Sequence, residues 1–275
     1  MPLIVNNNIA SITAQRNLDV SSNALSGSVA RLSSGLRITR AADDAAGLGI
    51  SETLRAQIRS IVQATRNAND GISLLQIADG GAANIGNLLT RMRELAEQSA
   101  SSILGATERS FVDQEFVALR SEIDRIASVT EFNNVKLLSG SANNSLSIQI
   151  GFRSSANDTL SIALNDLTTT DLAINSVNVS TAANAASALA NIDSAISAVA
   201  SARATIGSLQ NRIDAAVRNL QVANENVSAA ESRIRDADIA FETSLFVRNQ
   251  ILVQAGTSIL AQANLLPQQA LALLQ

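Results

Sequence analysis

The sequence predicts a mainly α-helical protein: a long antiparallel helical bundle with one β-hairpin, plus N- and C-terminal helices paired as a coiled coil. Two observations support this fold class. Apolar residues recur at seven-residue intervals over long stretches near both ends of the chain, which gives each helix a narrow apolar stripe that needs a partner helix. One stretch near the middle of the chain instead alternates apolar and polar residues, as half-buried strands do.

The first helical segment covers residues 6–33 and carries a weak stripe of three leucines at seven-residue spacing. They are Leu18, Leu25 and Leu32. A helix with so thin a stripe is marginal when it stands alone. Ser33-Ser34-Gly35 is a helix stop signal, and Asp43 with Asp44 stands where acidic residues favour the start of a second helix.

A second long helix is predicted over residues 44–103 and a third over residues 107–130. The apolar spacing of the second helix contains one three-residue step at 75–78, which is a local overwinding of the stripe. The connection at Gly105 is short, so we expect these two helices to run antiparallel.

A β-hairpin is predicted over residues 145–164 because two runs alternate with period two around a turn-forming segment. Residues 165–182 show no clear period and are interpreted as a loop. The longest regular stripe follows over residues 183–234. Its main row repeats at sevens: Ile192, Val199, Ile206, Ile213, Leu220, Val227 and Ile234. We expect this helix to pack against residues 44–130.

After residue 234 the stripe changes phase and doubles in width. One row is Leu245, Leu252, Ile259 and Leu266, and the row beside it includes Phe246, Val253 and Leu260. A face this wide needs more than one neighbour, so these residues and the three leucines of the first segment are candidate assembly residues. Pro267 is expected to end the helix. The predicted domains are a terminal coiled coil (1–43 with 235–275) and a helical bundle (44–234).

The composition of the 275-residue chain argues against an enzyme. There is no histidine or cysteine, which removes imidazole bases, thiol nucleophiles and most transition-metal sites, and no carboxylate pair stands out as a catalytic couple. The net charge of −4 does not suit a nucleic-acid partner. No window holds 18 apolar residues, as a membrane span would. We therefore expect no catalytic site, no cofactor, no metal, no nucleic acid and no membrane partner.

One surface patch is predicted on the second helix, at residues 91–98. Met92 and Ala96 follow the stripe, so the spacing places Arg91, Glu94 and Leu95 off it and toward the outside. An outward leucine among charges is either a harmless exposed residue or part of a contact site.

Several motifs in this sequence closely resemble those of bacterial flagellins. Residues 32–38 (LSSGLRI) and 43–48 (DDAAGL) resemble the N-terminal signature of that family, and residues 232–238 (SRIRDAD) and 250–264 (QILVQAGTSILAQAN) resemble its C-terminal signature. Residues 131–138 (EFNNVKLL) are similar to the motif before the family's hairpin. The matches are dense, keep the family's order and span nearly the whole chain.

The resemblance implies a structural subunit that assembles into the flagellar filament for swimming motility. In that family the terminal helices form the inner tube of the filament and are disordered in the free monomer. Variable outer domains follow the hairpin, and here only residues 165–182 occupy that place, so this is a short form without them. The resemblance also implies export through the flagellar type III apparatus and an extracellular location in the filament.

The partners implied by the resemblance are other copies of the chain, the flagellar cap, the hook–filament junction proteins and an export chaperone that holds the C-terminal segment. The patch at 91–98 further resembles the flagellin segment that Toll-like receptor 5 binds. Arg91, Glu94 and Leu95 match that segment, and Glu115 on the third helix matches a contributing acid.

Two other functions remain open at this level. A hook–filament junction protein shares the terminal pattern but fills a fixed number of places and does not form a long polymer; residues 254–264 (QAGTSILAQAN) favour flagellin itself. A membrane-active amphipathic helical secretion protein is less favoured, because the sequence lacks an apolar helical hairpin.

Overall fold

The computed structural model describes residues 7–139, 145–153 and 155–272, without the side chains of Ser145 and residues 266–272. These residues form α1 (Ile9–Ser34), α2 (Ala45–Ala100), α3 (Ala106–Val129), α4 (Ala182–Arg235) and α5 (Ile239–Ala272). The strands are β1 (Glu131–Phe132), β2 (Val135–Lys136), β3 (Ser145–Gln149) and β4 (Thr159–Ala163). The predicted mainly α-helical class is confirmed.

The chain divides into two compact units. The terminal unit holds the described residues up to Ile58 and from Asn226 onward, and the central unit holds Arg59–Glu225. Both boundaries fall inside long helices, α2 and α4, so each of these helices contributes one part to each unit.

In the central unit, α2 runs antiparallel to both α3 and α4. Arg93 on α2 reaches Asp193 near the start of α4 at 2.7 Å, and Asp79 farther back on α2 accepts from Arg203 farther along α4 at 2.8 Å. The apolar cores of the three helices form one cluster. The main row of α4 is buried as predicted from Ile192 to Leu220, and Ala185 extends it toward the start of the helix. The buried row beside it is mostly alanine: Ala188, Ala195, Ala202 and Leu209.

The predicted hairpin is confirmed as β3 and β4, which pair antiparallel with Leu146 opposite Ile162. Its apolar face packs against the bundle, where Leu160 and Ile162 are buried. A glycine of α2 makes room for it. A Cβ atom on Gly71 would lie 2.5 Å from the Cδ1 of Ile148 on β3, so a larger residue there would force the end of the Ile148 side chain to shift.

A second, smaller hairpin that the periodicity did not predict joins β1 to β2. Its turn residues, Asn133 and Asn134, have φ of 49° and 65°. Positive φ at both central positions is the requirement of a tight two-residue hairpin turn, and asparagine tolerates it better than other residues with a side chain. The two asparagines were the available sequence signal.

The segment between the hairpin and α4, residues 165–181, contains neither helix nor strand, in agreement with its interpretation as a loop. It is nevertheless packed onto the bundle, and we call it the strap. Its buried apolar side chains are Leu167, Leu172, Ile174, Val177 and Val179. The sequence did not predict this burial, because the apolar residues of the strap follow no period.

Polar side chains of α2 and α3 satisfy the backbone of the strap. The backbone N–H of Val179 donates to Asp113 at 2.8 Å, and its carbonyl accepts from the hydroxyl of Ser99 at 2.5 Å. Thr169 is buried and donates twice to Asp124, from its backbone N–H at 2.9 Å and from its hydroxyl at 2.8 Å. These bonds replace the ladder that an irregular buried segment lacks.

In the terminal unit, α1 and α5 pair along their lengths, with Cα atoms within 8 Å of each other. α1 ends as predicted, with Gly35 in the left-handed region at φ 70°. Residues 35–44, which we call the link, connect α1 to α2. The link is hydrogen-bonded to the residues just before α5. The N–H of Ala237 donates to the carbonyl of Gly35 at 2.9 Å, and Leu36 forms a β-bridge with Asp236.

The acidic pair predicted at the start of the second helix has two separate tasks. Asp44 accepts from the N–H of Gly47 at 2.8 Å and so caps the first turn of α2. Asp43 instead binds the link, accepting from the N–H groups of Arg40 and Thr39 and from the Thr39 hydroxyl. These bonds, that from the Arg40 backbone first, lower the pKa of Asp43.

Two predicted helix ends are wrong. α2 ends at Ala100, whereas the apolar spacing predicted that it continues to residue 103. Ile103 therefore lies in the connection to α3, and its side chain is 90% exposed. α5 passes through Pro267 and continues to Ala272. A proline has no N–H and leaves the carbonyl four residues earlier without a helical donor; here that carbonyl, on Ala263, accepts from Nδ2 of Asn8 at 2.8 Å.

Replacing Asp124 with alanine should destabilise the central unit, because Thr169 would keep two buried donors without an acceptor. We expect a loss of about 1–3 kcal/mol in the free energy of unfolding, measured by urea denaturation followed by circular dichroism. Glu122→Ala is the matched control. It removes a carboxylate from the same helix that pairs only with Arg125 on the exposed face, and an equal loss in both variants would show that the strap does not depend on Asp124.

The ion pair between Glu52 and Arg235, with atoms 2.8 Å apart, gives a pH-dependent contribution. The hydrogen bond from Arg235 is the main cause that lowers the pKa of Glu52. Because the pKa of Glu52 is lower in the folded state, the ion pair stabilises the fold fully at pH values above the unfolded pKa of about 4.3. This stabilisation is lost as the pH falls through the folded-state pKa. Carboxyl NMR should therefore find Glu52 titrating below about 4.3, and Arg235→Ala should raise its midpoint. Asp43, whose bonds do not involve Arg235, should keep its low midpoint; an unmoved Glu52 would contradict the assignment.

Candidate assembly and contact surfaces

The seam between α1 and α5 brings together most of the predicted assembly residues. Leu18, Leu25 and Leu32 on α1 are half-buried, as are Leu245, Phe246, Val253 and Leu260 on α5. Phe246, Val253 and Leu260 repeat at seven-residue spacing, and the intervening positions Glu242, Asn249 and Ala263 are buried. This 3-4 alternation is the seam of a coiled coil. The side chain of Leu266 lies outside the described part of the structure.

A glycine in this seam lets the two helices approach closely. A Cβ atom on Gly256 would lie 3.1 Å from the Cδ1 of Leu18, which is tighter than ordinary van der Waals contact. The absence of a side chain at Gly256 helps to explain why the backbones of α1 and α5 come within 8 Å of each other. Sequence reasoning had not selected Gly256, because a lone glycine in a helix carries no period.

Polar groups occupy both ends of the seam. Near the link, Glu242 is buried and lies 3.7 Å from Arg31, and its Oε1 has no hydrogen-bond partner. At the other end, Ser11 donates to Asn264 at 2.7 Å and Asn8 donates to the carbonyl of Ala263 at 2.8 Å. Periodicity could not predict the bonds of Asn8 and Ser11, because they join residues more than 250 positions apart.

The doubled stripe of α5 is split by the structure. The row that contains Phe246 faces α1, whereas Leu252 and Ile259 in the other row are 48% and 59% exposed. Further large apolar side chains are exposed on the same two helices: Ile9, Ile12, Val20 and Val29 on α1, and Ile239, Phe241, Val247, Ile251 and Leu265 on α5. Two paired helices bury only the faces that they turn to each other, so the pair cannot bury these side chains as well. An exposed apolar surface of this extent marks a contact site.

The predicted patch on α2 exists as an exposed charge network that spans two helices. Arg91 donates to Glu115 on α3 through Nε at 3.0 Å and Nη2 at 2.9 Å, and to Glu94 through Nη1 at 2.9 Å. Its hydrogen bonds to the carboxylates of Glu94 and Glu115 raise the pKa of Arg91. All three side chains are about half exposed, so the network orients one guanidinium on the surface and adds little stability.

Leu95 does not belong to this surface, and the prediction that it faces outward is wrong. Its side chain is 2% exposed and lies in the apolar core with Met92 and Ala96. The seven-residue stripe assumes one neighbour for α2, but α2 packs against both α3 and α4, so its buried face is wider than a single seam. The candidate contact residues that are exposed are therefore Arg91, Glu94 and Glu115.

Among the residues that the structure describes, no group of three or more acidic side chains is placed to hold a metal ion. Within the same part of the chain, no helix combines the length and apolar character that a bilayer crossing needs. The features that distinguish this molecule are the exposed apolar faces of its paired terminal helices and the charged patch on its bundle.

Comparison with known proteins agrees with this geometry. The bacterial flagellin N-terminal helical region matches residues 5–143, and the bacterial flagellin C-terminal helical region matches residues 189–274. Together these two regions cover α1, α2, α3, α5 and all but the first turns of α4.

Two similar proteins match over their whole length. A flagellin of Halalkalibacterium halodurans is 42% identical over 99% of this chain and 100% of its own length. The flagellar filament 33 kDa core protein of Treponema phagedenis is 40% identical with the same coverage. The crystal structure of Bacillus cereus flagellin is 34% identical, covers 56% of this chain and 88% of its own, and superposes with a TM-score of 0.51. The chain is a member of the bacterial flagellin family.

Proposed function

We propose that this chain is the structural subunit of a bacterial flagellar filament, located outside the cell and used for swimming motility. The observation that supports this most directly is the exposed apolar row of α5 that contains Leu252 and Ile259. Burying such a side chain contributes roughly 1.5–3 kcal/mol. The eleven exposed apolar side chains that the structure describes on α1 and α5 therefore provide a large driving force for contact with other copies.

The same argument couples folding of the terminal helices to assembly. A free pair of helices with a single seam buries little apolar surface, and this burial does not offset the conformational entropy lost when the helices become ordered. We therefore expect α1 and α5 to be disordered in the free monomer. Docking against neighbouring copies covers the second row and offsets that cost. Contacts that repeat head to tail without closing give an open helical filament.

The predicted domain division fits this scheme. We propose that residues 1–43 with 235–275 act as the coiled-coil domain of the filament's inner core, and that residues 44–234 act as the bundle domain. Along the chain, the boundaries between the compact units fall inside α2 and α4. The boundaries that we predicted from the sequence lie instead at the helix junctions beside Asp44 and Asp236. These junctions are where the backbone conformation departs from helix.

Further partners follow from family membership. We propose export through the flagellar type III apparatus, with a chaperone that holds the C-terminal segment until export. The exposed apolar side chains of α5 support this, because they need cover before assembly. At the filament, the partners are the cap at the tip and the hook–filament junction proteins at the base.

The alternatives are less well supported. A hook–filament junction protein has the same terminal coiled coil, but this chain is similar to a flagellin over 99% of its length. A membrane-active secretion protein would use the apolar faces of α1 and α5 against lipid. The regular seven-residue seam between them favours helix partners over a bilayer.

We also propose that the free monomer is recognised by Toll-like receptor 5 through the exposed network of Arg91, Glu94 and Glu115. The arrangement supports this because Arg91 is held in one orientation by two carboxylates from different helices. A fixed and exposed guanidinium is a good contact residue, since little entropy is lost on binding. In the filament, we expect neighbouring subunits to cover this surface.

Deleting residues 240–275 should abolish filaments and leave the central bundle helical. The deletion removes the seam partner of α1 and the exposed row together, whereas the central unit ends at Glu225. Electron microscopy of the concentrated protein and circular dichroism measure the two results, with the full-length chain as control. Filaments formed by the truncated chain would contradict the proposal.

Replacing Arg91 with alanine should weaken monomer binding to the receptor by roughly tenfold, the loss expected from about 1.4 kcal/mol at an interface. Surface plasmon resonance on purified receptor ectodomain measures it. Arg93→Ala is the matched control, because Arg93 is equally exposed but pairs with Asp193 and Glu97 instead. Equal affinities for the Arg91 variant and the unmodified monomer would reduce the patch to an ordinary subunit surface.

A further inference from the structure

We propose that Asn8 and Pro267 together form a register-setting site that fixes how α1 slides along α5. Pro267 leaves the carbonyl of Ala263 without a helical donor, and Asn8 supplies the missing hydrogen bond from the other helix. The site determines the axial offset between the outward faces of α1 and α5, and so it deepens the proposed role in filament assembly and rests on it for its biological meaning.

The geometry of Asn8 uses both ends of its side-chain amide. Its oxygen accepts from the N–H of Ser11 at 3.0 Å and caps the first turn of α1. Because Ser11 N–H is a donor, the atom that faces it must be Oδ1, which turns Nδ2 toward Ala263 and fixes the amide orientation. Nδ2 then donates to the carbonyl of Ala263 at 2.8 Å. One side chain thus joins the start of α1 to the interior of α5.

The acceptor is special among the interior carbonyls of α5. Every other interior carbonyl meets the N–H of the residue four positions later. Pro267 interrupts this series at one place, and the chain's other proline is Pro2. A slip of the seam by seven residues would place Asn8 opposite a carbonyl that already has a helical partner. The hydrogen bond would then be lost and the carbonyl of Ala263 would stay unpaired, at a cost that a repeating apolar seam by itself does not impose.

A group that sets the register is needed because the large apolar residues of the seam repeat. Phe246, Val253 and Leu260 stand at equal spacing and offer similar contacts in neighbouring registers. Polar contacts in an apolar seam are the usual means of selecting one register. At the other end, the link ties Gly35 to Ala237. Asn8 fixes the end that lies farthest from the link along α1, so the pair is held in register at both ends.

The test is a double-mutant cycle in the full-length chain with Asn8→Asp and Pro267→Ala. Aspartate keeps the acceptor that caps α1 but cannot donate to the carbonyl of Ala263. Alanine at 267 restores the backbone N–H that this carbonyl lacks. Hydrogen exchange measured by mass spectrometry over residues 9–34 and 239–265 reports the stability of the pair, and electron microscopy of the same samples records whether they are assembled.

We expect Asn8→Asp to speed exchange over both helices by roughly tenfold when residue 267 is proline, and by less than about threefold when it is alanine. Ser11→Ala is the matched control. It removes the neighbouring bond to Asn264, which does not involve the carbonyl freed by Pro267, so its effect should be the same in both backgrounds.

Three results would overturn the proposal. The first is an equal effect of Asn8→Asp on exchange in the two backgrounds, and the second is an effect of Ser11→Ala that depends on residue 267 as strongly as that of Asn8→Asp. The third is an absence of protection in α1 and α5 of the unmodified chain, whether it is assembled or not. The filament proposal fails separately. Coupling between residues 8 and 267 without filaments would argue against the filament role alone, and filaments without coupling would argue against the register site alone.

Discussion

An apolar seam that runs the length of a helix obliges that helix to find a partner of similar length, and the architecture follows from this requirement. α2 and α4 have 56 and 54 residues, too long for any compact core to enclose. In the central unit they satisfy each other, with α3, the hairpin and the strap filling the remaining apolar sides. The result is a bundle whose buried positions recur along its whole length.

The terminal helices obey the same constraint but cannot meet it within one chain. Two helices bury one face of each, and α5 has two apolar rows. Phe246 lies in the row that meets α1, and Leu252 lies in the row that meets solvent. This difference between a covered row and an exposed row is the physical basis of the assembly that we propose.

A second requirement, that backbone polar groups find partners, explains the residues that periodicity does not. The strap has no ladder, so Asp113 and Asp124 accept its N–H groups. α5 loses one donor at Pro267, so Asn8 replaces it. In each case a side chain from a distant part of the sequence completes a local backbone defect, and the contact also fixes the position of one element on another.

The sequence by itself determined the helices, the main hairpin and the pairing of the ends, because seven-residue and two-residue periods are local properties of the chain. The family followed from its resemblance to the flagellin signature motifs at the two ends. Only the tertiary structure decided which face has a second neighbour. It buried Leu95, exposed Ile103 and divided the doubled stripe of α5 into an inner and an outer row. It also decided that Pro267 does not end its helix, since the carbonyl of Ala263 that it leaves free is bonded by Asn8, 255 residues from Ala263. No pattern within a helix can report a partner at that distance.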